Sequence, residues 1–212
     1  MRKKDILLIG GGGHCKSCID VIEEEGIYSI KGIIDLPEKV GANILDYPII
    51  DIDDNIEKLL IEIKYAFITT GHIKSPKLRI RLFNQVKKAG GLLPVIISPK
   101  AQVSKHAKIQ EGTIVMHGAV INAGTKIGKN CIINNLALIE HDVIIGDHVH
   151  VSTGSRINGN CKVGNNNFVG SGTVINQEVK IADDVIIGSG ALVTKNIEES
   201  GVYVGNPTKR IK

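Results

Sequence analysis

A histidine followed directly by an aspartate, His141-Asp142, is the pair in this chain best suited to proton transfer. A carboxylate beside an imidazole fixes its tautomer and raises its basicity, as a general base requires. The pair lies in Ile139-Glu140-His141-Asp142, and His148 and His150 follow in Asp147-His148-Val149-His150. A second chemistry is written near the start. Gly10-Gly11-Gly12-Gly13-His14 comes after the apolar run Ile6-Leu7-Leu8-Ile9 and before a helical stretch reaching Glu25. Strand, glycine turn and helix N-terminus together offer backbone N–H groups to a phosphate. The dinucleotide pattern Gly-x-Gly-x-x-Gly is met only in part, since Cys15 stands at its last glycine. Asp35 ends the next strand, where a ribose-binding acid would sit, and the segment has room for one mononucleotide half. A glycine turn that only joins strand to helix is the plain alternative.

Other reactive side chains carry less. His72, after Gly71 at a strand end, could line the same pocket or sit in a solvated loop. His106 and His117 are expected on the surface, and His148 is expected to be exposed. Cys15 and Cys18 form a Cys-x-x-Cys, which can serve redox or zinc chemistry. No second such pair completes four ligands, so both are expected to pack a helix onto a sheet. Three prism histidines could hold zinc, as in a metal-dependent hydratase, but His141 and His150 fall half a coil apart, and no metal is expected.

The elements that must position these residues follow from a period of six. Every sixth residue from Ile97 to Val193 is Ile or Val, seventeen in succession. Neither helix nor ordinary strand gives that period; a hexapeptide repeat does, with short strands stacking into a triangular parallel β-helix. Two positions before each aliphatic stand mostly small or β-branched residues, among them Ala119, Thr125, Cys131, Ala137, Ser155 and Cys161. Gly128, Gly146 and Gly164 recur every eighteen residues, one coil of three hexapeptides, and are expected to stack on one edge where a turn needs φ > 0. Residues 97–212 are therefore read as an all-β left-handed parallel β-helix with a short C-terminal cap around Gly205-Asn206-Pro207. Its sides carry apolar residues that a homotrimer would bury.

Residues 1–96 have another rhythm, strands alternating with helices, which gives a small α/β, Rossmann-like domain. The strands are read at Ile6–Ile9, Ile30–Asp35, Tyr65–Thr69 and Leu93–Ile96. Asp46-Tyr47-Pro48 reads as a turn. Asp53 or Asp54 should cap a helix to Glu62, and Ser75-Pro76 should cap one with Pro in its first turn that ends at Gly90-Gly91. Aromatics make up 3% of the 212 residues, with no Trp, as a narrow prism core of Ile and Val demands. Net charge is +4, without the Lys/Arg blocks or aromatic interleaving of nucleic-acid binders. No run is apolar enough to span a membrane, and Met1-Arg2-Lys3-Lys4 leads into a strand rather than a signal peptide. The cytoplasm is the expected location.

Taken together, Ile9 to His14, Ile139-Glu140-His141, Gly170-Ser171-Gly172, Ile187-Gly188-Ser189-Gly190 and Gly205 to Lys209 resemble the bacterial sugar acetyltransferases of the sialic-acid and bacillosamine pathways. The resemblance covers nearly the whole chain. It implies acetyl-CoA as cosubstrate and a nucleotide-linked sugar as acceptor, with His141 as catalytic base and Asp142 as the acid that strengthens it. It implies further that His150, Ser171 and Ser189 meet acetyl-CoA, that Asn134 is a polar active-site residue, and that Gly12, Gly13, His14, Asp35 and Gly71 form the nucleotide-sugar pocket. Lys209 and Arg210 could meet the CoA phosphates. The expected reaction is N-acetylation of a UDP-linked amino sugar; O-acetylation of sialic acid or a related nonulosonic acid is the alternative.

Overall fold

The computed structural model describes residues 3–212; Met1 and Arg2, part of the expected N-terminal domain and of the basic start, lie outside the described residues. The N-terminal part is built on β1 (Lys4–Ile9), α1 (Gly13–Glu25), β2 (Tyr28–Asp35), β3 (Asn43–Ile44), β4 (Tyr47–Ile52), α2 (Ile56–Glu62), β5 (Tyr65–Ile68) and α3 (Lys77–Lys88). The sheet order is β3-β4-β2-β1-β5, parallel except for the β3-β4 pair. Alternation along β1 explains the layering. Ile6 and Leu8 face α1, packing with Cys15, Cys18 and Ile22; Leu7 and Ile9 face α2 and α3, packing with Leu60, Leu82 and Val86. Both cysteines of the Cys-x-x-Cys are fully buried free thiols. Burial, the first cause for each, pushes Cys15 up to about 11 and Cys18 beyond the usual thiol range, which leaves them as packing groups.

Several boundaries differ from the sequence reading. Tyr47 and Pro48 lie in β4 rather than a turn; the turn before it comes at Leu45, whose φ is +52°. Pro48 is tolerated because the bonds to the neighbouring segment run through Ile49, which donates to Ala42 O at 2.8 Å and accepts from Gly41 N–H at 2.9 Å, so the hairpin asks no N–H of position 48. Asp53 and Asp54 form a 3-10 turn ahead of α2, and Asn55 is its N-cap. Pro76 is the N-cap of α3 rather than part of its first turn. Leu93–Ile96 is not a strand of this sheet. Leu92 makes a single bridge to Tyr65, and Ile96–Ile97 is already the first rung of the prism, paired with Ile114–Val115.

The prism has three parallel sheets of mostly two-residue strands. The sixth-residue aliphatics point inward and form one continuous core, Ile121, Ile127, Ile133, Ile139 and their repeats, almost all without exposure. Burying each such side chain is worth about 1.5–3 kcal/mol, and no room is left for rings. Small polar residues of the second register are buried too, and each reaches the coil above: Thr113 Oγ1 donates to Gly128 O at 2.8 Å and Ser155 Oγ to Gly170 O at 2.8 Å. Gly128, Gly146 and Gly164 do stack, but none has positive φ; the left-handed positions are Asn130, His148 and Asn166, two residues further on. Glycine is required there by contact, because a methyl on Gly146 would lie 2.9 Å from the carbonyl carbon of Gly164.

The residue before each core aliphatic points outward and gives each face its character. The first face shows Val120, Leu138, Val174 and Leu192, all half-buried, with Gln102 and Arg156. The second shows Lys108, Lys126, Lys162 and Lys180. The third shows Ile96, Ile114 and Ile132, buried beneath α1. The N-terminal domain thus covers the third face. Arg79 of α3 pins it there. Fully buried, its guanidinium donates to Ile68 O at 2.6 Å and Thr70 O at 2.9 Å in its own domain, and to Asn130 O at 3.1 Å in the prism. The chain ends on the same sheet: Gly201–Val204 adds in parallel to Val185–Ile187, and Lys209–Arg210 turns back antiparallel.

Candidate active site

The glycine turn is shaped by the protein's own contacts. Gly10 has φ +106°, open to glycine alone at low cost. Gly11 donates its N–H to Asp35 Oδ2 at 2.8 Å; Oδ1 takes the Leu36 N–H at 2.8 Å, and Lys39 Nζ sits 2.9 Å from Oδ2. Burial works to raise the Asp35 carboxyl, but Lys39 and the two N–H groups outweigh it and hold it below its ordinary value. Gly12 is the N-cap of α1 and carries no side-chain cap. A methyl on Gly12 or Gly13 would meet nothing within 4 Å. The first turn of α1 therefore opens toward a cavity of about 250 Å³ lined by Gly10, Gly11, Gly12, Asp35, Lys39 and Arg81. A helix N-terminus with free N–H groups suits a phosphate; the two cations of the lining, Lys39 and Arg81, are each paired with a carboxylate, Asp35 and Asp53.

A second cavity, of about 390 Å³, lies at the junction of the two domains, lined by His14, Gly71, His72, Ile73, Asn134 and His150. The structure thus brings His14, Gly71, Asn134 and His150 together, and adds His72, which is buried rather than in a solvated loop. His150 Nδ1 is 2.7 Å from the His72 carbonyl, and its Nε2 is 3.2 Å from Asn134 Nδ2. The rings of His72 and Phe168 stand edge-on to it at 5.5 and 5.2 Å. Burial, reinforced by the Arg79 guanidinium, pushes His14 down to about 3 and His72 to about 3. It pushes His150 to about 4. All three are uncharged at neutral pH. His148 is half-buried rather than exposed: its ring meets Phe83 edge-on at 5.7 Å, and its Nδ1 is 3.0 Å from Asn130 Nδ2.

His141 and Asp142 lie elsewhere. They occupy the corner between the first and second faces, whereas Asn134, Ser171 and Ser189 occupy the corner between the third and first. His141 Nδ1 is 3.0 Å from Asp142 Oδ2, and the two side chains are 54% and 60% exposed, open to an incoming substrate. Glu140 accepts from Asn122 Nδ2 at 2.9 Å and stays out of the pair. Ser171 Oγ lies 2.9 Å from Ser152 Oγ, one coil below Ser189 on the same corner. Within one chain, then, the site residues form two groups on opposite edges of the apolar first face. Arg79 was missed in sequence although a signal exists: it shares the buried stripe of α3 with Leu82, Phe83 and Val86. Among the described residues no group of three or more His, Cys, Asp or Glu is arranged for a metal ion, and no helix is long and apolar enough to cross a membrane.

A small parallel α/β domain seated on a hexapeptide prism, with a glycine turn at the N-terminus of its first helix, defines a two-domain hexapeptide transferase. Comparison with known families agrees: the PglD N-terminal domain matches residues 5–86, and the bacterial transferase hexapeptide (six repeats) matches residues 124–159 and 160–195. No curated protein matches the chain. Among solved structures, perosamine N-acetyltransferase from Caulobacter crescentus, in complex with CoA and GDP-perosamine, is 30% identical with a TM-score of 0.91, covering 98% of this chain and 97% of its own. The acetyltransferase domain of PglB from Neisseria gonorrhoeae, in complex with acetyl coenzyme A, is 27% identical with a TM-score of 0.91, covering 99% and 100%. WeeI from Acinetobacter baumannii, 24% identical over 99% of this chain and all of its own, with a TM-score of 0.88, shares the fold. The chain belongs to the bacterial sugar acetyltransferases of the hexapeptide family.

Proposed function

We propose that the protein transfers the acetyl group of acetyl-CoA to the amine of a nucleotide-linked amino sugar, with His141 as general base. The observation that carries this reading is the pairing of an exposed His141-Asp142 dyad with a phosphate-ready glycine turn in one chain. Asp142 holds His141 Nδ1, which leaves Nε2 to take the amine proton as the nitrogen attacks the thioester. The nucleotide lies along Gly10 to Gly13 beside Asp35, and the sugar reaches the junction cavity at His14 and Gly71. Acetyl-CoA runs along the corner of Ser171 and Ser189 toward His150 and Asn134, with Lys209 near its phosphates; Arg210, also expected there, is instead tied to Glu199 and to the Ser200 and Lys212 carbonyls. Direct transfer needs no acyl-enzyme, only both substrates held together.

A homotrimer completes this site. The dyad and the junction cavity flank the first face, whose Val120, Leu138, Val174 and Leu192 are half-exposed in one chain. Packing that face against a neighbour in a closed ring buries them and brings the dyad of one copy to the cavity of the next. The uridine nucleotide expected from the sequence is the first acceptor to test; the Caulobacter relative's GDP-perosamine complex makes a guanosine nucleotide the second. Thiol release from acetyl-CoA is measured with UDP- and GDP-linked amino sugars and with free and CMP-linked sialic acid. Turnover with an amino-sugar nucleotide is expected. Turnover with sialic acid alone would replace N- by O-acetylation. Light scattering should give three copies; a monomer at micromolar concentration would refute the shared site.

A further inference from the structure

The hydrogen bonds of His150 leave one placement for its ring proton. The His72 carbonyl can only accept, so across 2.7 Å the Nδ1–H of His150 is the donor. Burial keeps the ring neutral at pH 7, with Arg79 acting in the same direction, so Nε2 carries a bare lone pair. That nitrogen accepts from Asn134 Nδ2 at 3.2 Å. Asn134 is oriented by a second contact, since its Oδ1 takes the Asn135 N–H at 2.8 Å and the amide cannot be reversed without losing both. An amide nitrogen has two protons. His150 takes one; the other has no partner among the described residues, and Asn134 lines the junction cavity.

We infer that the second Asn134 N–H is the donor that receives the oxyanion in acetyl transfer, with His150 as its positioning residue. The His72 carbonyl, on the domain that faces the nucleotide, sets the tautomer of His150. The inference rests on the acetyl-transfer reading above. In the step, the acceptor nitrogen forms a bond to the thioester carbonyl carbon, and the C=O π pair moves onto oxygen, where the Asn134 N–H meets it. His141 of the neighbouring copy takes the amine proton. The oxygen pair then returns, the C–S bond breaks, and the thiolate of CoA leaves and regains a proton from His141. A donor fixed in advance at the site of developing charge costs no reorganisation during the reaction. The arrangement also links the domains, because the loop that walls the acceptor cavity aims the donor at the thioester.

The test combines kinetics with nitrogen NMR on the full-length protein. Asn134→Ala should lower kcat roughly 10²–10³-fold, the usual worth of one oxyanion donor, with KM for acetyl-CoA within about twofold of the unmodified protein. Asn134→Asp keeps the shape and removes the donor, so it should be equally slow. In protein labelled with ¹⁵N-histidine, His150 should show the Nδ1–H tautomer and stay neutral at pH 5. An Nε2–H tautomer would overturn the inference, as would near-normal kcat in Asn134→Ala while the unmodified protein is active. Failure of the unmodified protein to acetylate any amino-sugar nucleotide would instead overturn the proposed function, and the oxyanion role with it.

Discussion

His141 and Asp142 are held by the coils on either side of them. Asp142 has φ +60°, which aspartate tolerates better than most residues, and its N–H is tied to Ala123 O at 3.0 Å in the coil before. Gly159 in the coil after leaves space that His141 fills; a methyl there would lie 2.6 Å from Nε2. This dyad was legible in sequence because its partners are adjacent in the chain. The junction cavity was legible only in part. His14, Asn134 and His150 could be marked singly, but the His72 carbonyl that orients His150 is backbone, and a main-chain acceptor has no residue type to reveal it. For the dyad, His141→Ala should lower kcat by roughly 10²–10⁴-fold with acetyl-CoA binding little changed, and Asp142→Asn should cost less because it only tunes the base. Single-turnover acetyl transfer checks both; near-normal rates in His141→Ala would move the base elsewhere.

At the scale of elements, the turn before α1 and the stacked corners of the prism use glycine for different ends. At Gly12 the space is empty, so a side chain there does no harm to the fold but intrudes on whatever the helix N-terminus binds. Gly12→Val should raise KM for the nucleotide sugar several-fold and leave KM for acetyl-CoA nearly unchanged; equal changes in both would detach the glycine turn from the acceptor. At Gly146 the space is filled by the next coil. Gly146→Ala should lower the melting temperature, with an overpacking cost of about 1–3 kcal/mol; an unchanged melting curve would show that the corner can yield. The sixth-residue register predicted the stack because every coil solves the same packing problem. It did not predict which corner residue turns left-handed, since Asn130, His148 and Asn166 are set by coil geometry rather than by one residue type. The β3-β4 hairpin was hidden for a related reason: Pro48 reads as a breaker unless its neighbour Ile49 is known to carry the hydrogen bonds of the pair.

For the whole molecule, three neutral imidazoles between two domains tie stability to pH. His14, His72 and His150 are held at about 3, 3 and 4, below the ordinary 6.5, with burial the first cause of each. The unfolded chain therefore binds protons first as pH falls, so their contribution is complete above about pH 6.5 and is lost on the way down toward 4. By pH 5 each costs roughly 2 kcal/mol. The melting temperature should drop steadily between pH 7 and 5, and His72→Phe should flatten that slope; a level profile in the unmodified protein would contradict the buried neutral cluster. The end of the chain has a different consequence. A column of identical parallel rungs has no internal reason to stop, and its last rung is a template for another molecule's first. The final strand, Lys209–Arg210, runs backward against the stack and carries charge, while Ile197 closes over Ile181 on a neighbouring face. The same repeat that gives the enzyme its rigid scaffold leaves an open rung to be covered, and residues 197–212 cover it on all three faces, at Ile181, at Val185–Ile187 and at Leu192.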